Sequence, residues 1–137
     1  MRYTKKAVRT AVVAVVRNKT GHVLLTKRAI PPYMGKWVMP GGKIDLGEPI
    51  TVALKREVLE EVGLDVHVEG LVDIFEIVPS GEHREHYVIL YYLASPKGGE
   101  LAPNEEIAEV IWADDEKVRG LDISDGTRHI LSKVMGS

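Results

Sequence analysis

A chain of 137 residues with a net charge of −2 and no cysteine fits one domain, 1–137, long enough to bury a core without disulfides or a structural metal. The absent thiols exclude a disulfide framework, Cys-ligated zinc and a thiol nucleophile, and the near-neutral charge argues against a protein that coats nucleic acid. The longest apolar run, Ala11 to Val16, is far short of a membrane span, and the basic start lacks a cleavage pattern, so a cytoplasmic protein without membrane association is expected. Ala7 to Arg17 is rich in valine and reads as a largely buried strand. Asn18-Lys19-Thr20-Gly21 supplies a turn, and His22 to Lys27 predicts a second strand that forms a hairpin with the first. Arg28 to Lys36 carries Pro31, Pro32 and Gly35 and reads as an irregular loop. Trp37-Val38-Met39 is a brief extended piece stopped by Pro40-Gly41-Gly42. A helix is predicted over Pro49 to Val62, with proline at its first position and Gly63 closing it in the left-handed conformation. Val66 to Val78 and Tyr87 to Ala94 read as strands, Lys97-Gly98-Gly99 as a turn, and Val110 to Trp112 as a short strand. Ser124 or Asp125 is placed to cap a last helix ending near Met135. The whole is an α/β plan, with a sheet between helices.

The predicted Pro49–Val62 helix holds the unusual chemistry. Glu57, Glu60 and Glu61 fall within an arc of roughly 100°, and Val52, Val58, Leu59 and Val62 are expected on the opposite, buried side. Ala53 falls in the acidic arc and would leave room there for ions and phosphate, while Arg56 flanks it. Acids on an amphipathic helix ordinarily form a solvated face. Here, however, three like charges destabilise a bare helix by several tenths of a kcal/mol, and they sit at the end of the helix that disfavours anions. A hard divalent cation, which prefers oxygen ligands, would remove that penalty. The preceding Pro40-Gly41-Gly42-Lys43 permits close backbone approach, offering carbonyls to a metal and Lys43 to a phosphate.

Gly42, Glu48, Arg56, Glu57, Val58, Glu60, Glu61, Gly63 and Leu64 fill every constrained position of the pattern Gly, five residues, Glu, seven residues, Arg-Glu-aliphatic-any-Glu-Glu-any-Gly-aliphatic. In these positions, and in the approach Trp37-Val38-Met39-Pro40-Gly41-Gly42, the chain resembles the Nudix hydrolases. The resemblance implies an α/β/α sandwich with a mixed β-sheet over nearly the whole chain. It also implies hydrolysis of the pyrophosphate bond of a nucleoside diphosphate linked to another group. Mg²⁺ or Mn²⁺ would be held by Glu57, Glu60, Glu61 and the Gly41 carbonyl, with Arg56 and Glu48 as a supporting pair that orients Glu57. Glu60 or Glu61 is favoured as the group that activates water, and Glu105, Glu106 and Glu109 are the distal alternatives.

The residues outside this pattern bear on the substrate. Lys43, Arg28, Trp37 and Arg84 are the candidate substrate contacts, and Tyr33, Phe75, Tyr87 and Trp112 are further aromatic surface, although an aromatic in a small domain is more often core. Pro79 and the run His86 to Leu93 resemble ADP-ribose pyrophosphatases, which favours ADP-ribose and ADP-sugars, giving AMP and a sugar phosphate. The alternatives are pyrophosphohydrolysis of (deoxy)nucleoside triphosphates and a nucleotide-binding module without turnover. His83-Arg84-Glu85-His86 has a spacing that suits no zinc site on a strand or helix. The expected partner is a small nucleotide, with no stable nucleic-acid complex; homodimer formation stays open.

Overall fold

The computed structural model describes residues 7–80 and 85–135. In chain order it contains β1 (Arg9–Val16), β2 (Val23–Arg28), β3 (Trp37–Val38), β4 (Gly41–Lys43), α1 (Ile50–Val62), β5 (Leu64–Ile77), β6 (Tyr87–Gly99), β7 (Ile107–Ala113), α2 (Asp115–Arg119) and α3 (Asp125–Val134). β1 is central because it is valine-rich on both faces and finds partners on both edges. It runs parallel to β6, from Arg9 opposite Tyr87 to Val16 opposite Ala94. On its other side it pairs antiparallel with β4. β5 lies antiparallel along β6 and completes a mixed sheet of order β4-β1-β6-β5.

Alternation along the strands divides the interior in two. Val12, Ala14 and Val16 of β1 join Ala94, Leu64 and Val66 in a cluster under α1. Val15, Tyr91, Trp37 and Met39 join Ile130 and Leu131 of α3 in the second cluster. The α/β/α layering read from the family pattern is therefore present, with helices on both faces of a mixed sheet.

Several local expectations need correction. The Asn18 turn forms, its side chain accepting the Thr20 and His22 amides at 3.1 and 2.9 Å, but β1 and β2 share only the single bridge Arg17–Val23. They then part, and β2 becomes the centre of a second, antiparallel sheet of order β3-β2-β7. Both faces of β2 are buried, Leu24 in the α1 cluster and Val23 and Leu25 in the α3 cluster. A strand with two buried faces takes a place between layers, not at an edge beside β1. Lys97 to Gly99 is not a turn but the end of β6, pairing with Leu64 and Asp65. Pro49 is the cap residue of α1 and not its first helical residue. The short helix α2, capped by Asp114 on the Lys117 amide, carries no buried residue and so had no apolar period to reveal it. No helix among the described residues is long and apolar enough to cross a membrane.

Candidate active site

α1 packs in a different rotation from the one its sequence suggests. Its buried residues are Ala53, Leu54, Val58 and Val62, whereas Val52 and Leu59 are 51% and 56% exposed. At about 100° per residue, Glu61 projects roughly 20° from Leu54, and Glu57 lies between Ala53 and Leu54. The acids therefore border the buried stripe instead of opposing it. Space for them comes from the loop that faces the helix. A Cβ on Gly42 would overlap the Glu57 carboxylate, so only glycine permits this approach.

Arg56 organises the carboxylates. Its Nε donates to Glu48 at 2.7 Å and its Nη2 to the other oxygen of Glu48 at 3.0 Å, a bidentate pair. Its Nη1 donates to Glu57 at 3.2 Å and to Glu60 at 3.1 Å, and its Nη2 also reaches the Lys43 carbonyl at 3.3 Å. The hydrogen bond from Arg56 holds the Glu48 carboxyl below its ordinary range, helped by the Asp45 amide. Burial raises the proton affinity of Glu57 against the opposing pull of Arg56. Glu61 is pushed up to about 8, chiefly by burial and secondly by the Glu57 charge; the Gly41 amide opposes the shift. Among the described residues, no three His, Asp or Glu side chains converge on one coordination point. The guanidinium lies among the carboxylates in that role of neutralising charge.

The surrounding backbone has an informative direction. The Ala14 amide donates to Pro40 at 2.8 Å and the Ile44 amide to Thr10 at 3.2 Å. In an antiparallel ladder these pairs alternate with residues whose polar groups point away, so Gly41 and Lys43 turn theirs from β1 toward α1. The Gly41 amide meets Glu61, the Lys43 carbonyl meets Arg56, and the Gly41 carbonyl faces the same side. All donors present are oxygens, which fits a hard divalent cation.

The far end of α1 is closed by the chain that follows β6. Gly63 at φ 81° donates to Leu59, and a Cβ there would overlap the Glu100 carbonyl. The amides of Ala102 and Asn104 donate to Val62 and Glu61 at 2.8 and 2.9 Å, and the Asn104 side chain to the Glu60 carbonyl at 3.3 Å. This segment then brings Glu106 within electrostatic reach of Glu61. Of the three distal acids only Glu106 acts on the cluster in this way; Glu109 pairs with Lys27 at 3.6 Å. Asn104 was not foreseen, because only the folded chain reveals its role at the helix end.

The candidate substrate contacts separate. Lys43 is exposed beside the site. Arg28 donates to the Pro32 carbonyl at 2.6 Å while its charge acts on Glu61. Trp37 is a correction: it is 6% exposed within the α3 cluster, so its ring is a core residue with no face for a substrate. Arg84 lies outside the described residues, as does His83. His86 pairs with Glu76 at 2.6 Å. An open cleft of about 680 Å³ lined by Arg17, Lys19, Glu69 and Ser95 shares no residue with the acidic helix.

A mixed sheet between helices, with a glycine loop held against an Arg-organised glutamate helix, defines a Nudix domain. The family model described as NUDIX domain matches residues 7–133, and the chain belongs to that family. It is 37% identical over 102 residues to the human 8-oxo-dGDP phosphatase NUDT18, covering 74% of this chain and 30% of that protein. It is 31% identical over 97 residues to the ADP-ribose pyrophosphatase of Methanocaldococcus jannaschii, covering 71% of this chain and 57% of that one. The chain thus spans from about a third to over half the length of these two relatives. It is 28% identical to the nucleoside triphosphatase NudI of Salmonella agona over 90% of this chain and 94% of that protein. The crystal structure of a MutT Nudix hydrolase from Burkholderia pseudomallei superimposes with a TM-score of 0.81 at 28% identity, over 94% of this chain and 99% of the other.

Proposed function

We propose that this protein hydrolyses a pyrophosphate bond in a nucleoside diphosphate linked to another group, with Mg²⁺ or Mn²⁺ as cofactor. The observation that carries the reading is the self-repelling set of half-buried Glu57, exposed Glu60 and half-buried Glu61 on one side of α1, with Arg56 bridging Glu57 and Glu60 and the Gly41 amide at Glu61. Glu57, Glu60, Glu61 and Gly41 would hold the cation. When bound, it neutralises phosphate oxygens and lowers the pKa of an attacking water. Arg56, fixed by Glu48, orients Glu57 and Glu60. Glu61 in its ionised form takes the proton from water while the oxygen attacks phosphorus and the second phosphate leaves. A carboxylate held at the Gly41 amide, beside the loop that would face the phosphates, is the kind of group that general-base catalysis needs. Lys43 and Arg28 supply positive charge to the leaving phosphate.

We favour ADP-ribose and ADP-sugars as substrates, in keeping with the relative named an ADP-ribose pyrophosphatase. Nucleoside triphosphate hydrolysis is the second reading, favoured by the nearly end-to-end match to a nucleoside triphosphatase. The test is a panel of ADP-ribose, other ADP-sugars, dinucleoside polyphosphates and (deoxy)nucleoside triphosphates, with Mg²⁺ or Mn²⁺. Turnover of ADP-sugars above the triphosphates is expected. Preference for triphosphates would install the second reading, and no turnover at all would overturn the enzyme.

A further inference from the structure

We infer that Asn104 is a positioning residue: it fixes the backbone of Glu60 and Glu61 and so sets where their carboxylates stand for a divalent cation. The inference rests on the reading of those carboxylates as cation ligands.

The first observation is how α1 ends. A helix leaves its last carbonyls without intrahelical partners. In α1 these belong to Glu60, Glu61 and Val62, since the Gly63 amide already serves Leu59. The stretch from Ala102 to Asn104 takes up all three. The Ala102 amide donates to Val62 at 2.8 Å, the Asn104 amide to Glu61 at 2.9 Å, and the Asn104 Nδ2 to Glu60 at 3.3 Å. One residue therefore holds the main chain of both glutamates in the last turn.

The second observation is that this residue is a two-way clamp, itself anchored. While Nδ2 donates to Glu60, the Asn104 Oδ1 accepts the Glu106 amide at 2.9 Å. A carbonyl on one side and an amide on the other admit only this orientation of the side chain. Aspartate has no donor for Glu60, and serine has a single oxygen for two partners. The Asn104 carbonyl accepts from Ile107 at 3.2 Å, where β7 begins, and Ile107 is part of the core cluster under α1. The Glu106 carbonyl accepts the Ala29 amide at 2.8 Å, just beyond β2. The clamp is thus fixed to the second sheet and does not simply follow the helix end.

The third is need. Glu60 and Glu61 stand at the negative end of the helix, with no base in its last turn. Leu59 and Glu60 are exposed, so packing does little for the outer side of that turn. Such helix ends open easily, and opening would carry both carboxylates away together. A site that binds an ion needs its ligands held to about 0.5 Å.

The test is titration of the full chain with Mn²⁺, followed by the electron paramagnetic resonance signal of the free ion, with thermal unfolding of each variant beside it. Asn104→Ala should bind Mn²⁺ about 10- to 100-fold more weakly than the wild type, the loss typical when a group that orients metal ligands is removed. Asn104→Ser keeps an oxygen for the Glu106 amide and lacks the second polar atom that meets Glu60. It should show the same loss, and it replaces Asn104→Ala if that variant does not fold. Ser124→Ala uncaps α3 instead; it should lower the melting temperature by a few degrees and bind Mn²⁺ as the wild type does. Wild-type affinity in either folded Asn104 variant, or equal weakening in Ser124→Ala, would overturn the positioning role. A wild type that binds no Mn²⁺ would overturn the reading of the carboxylates, and the inference with it. No substrate is needed, so failure of the panel sinks the activity and leaves this titration readable.

Discussion

α1 and α3 pack on opposite faces of the same sheet and follow opposite rules. α3 starts at Ser124, whose hydroxyl accepts the Thr127 amide at 3.3 Å, with Asp125 in its first turn and Lys133 in its last. Each of these features complements the helix ends. α1 starts at Pro49 without a side-chain cap, has no acid in its first turn and no base in its last, and carries Glu60 and Glu61 near its negative end. With a cap worth about 1 kcal/mol and each misplaced charge costing about 0.3–1 kcal/mol, α1 forgoes on the order of 2 kcal/mol that α3 keeps. The contrast separates a helix shaped for stability from one whose charges answer to something outside the helix.

Glu61→Gln should break that contrast most sharply. Turnover on the best substrate of the panel is expected to fall by more than the roughly 10- to 100-fold typical of a group that only supports a ligand. Stability of the metal-free protein should change the other way. The folded chain holds the Glu61 proton up to about 8, against an ordinary value of 4.5. The stability this gives is complete below about 4.5 and is lost as pH rises toward about 8. Denaturant titrations should show the wild type losing stability across that window, with the slope reduced in Glu61→Gln. A full slope in the variant would remove Glu61 as its source.

Gly42→Ala tests the loop and not the helix. Its Cβ would overlap the Glu57 carboxylate, so turnover should drop about 10- to 100-fold while circular dichroism stays native. Wild-type rates in this variant would mean that the loop yields easily. Ser124→Ala is the smallest change. It should cost about 1 kcal/mol of stability, a shift of a few degrees in melting temperature, with kcat unaltered. A loss of kcat would deny that α3 is the purely structural helix of the pair.

Much of α1's chemistry was legible because the acids, Arg56 and the bracketing glycines are all local. Gly63 and Ser124 could likewise be read as helix ends because capping is a near-neighbour effect. The rotation of α1 could not be read, because Glu57 and Glu61 occupy positions beside Leu54 where periodicity expects apolar residues. What admits Glu57 is the missing side chain of Gly42, a tertiary fact. The separation of β1 from β2 and the burial of Trp37 also depend on contacts made across the chain.

The segment after β6 has a consequence for how such a domain diversifies. Surface loops ordinarily accept insertions and exchanges at little cost. Ala102 and Asn104 close the open carbonyls of α1, and the same short stretch delivers Glu106 to Glu61. Changing its length would fray the helix and displace an acid in one step, so transplanting it between relatives trades stability and chemistry together. The loop from Ala29 to Lys36 touches this segment at one backbone bond, from the Ala29 amide to the Glu106 carbonyl at 2.8 Å, and caps no helix end. Beyond that bond, length and composition can vary there with less consequence for α1 than in the segment after β6.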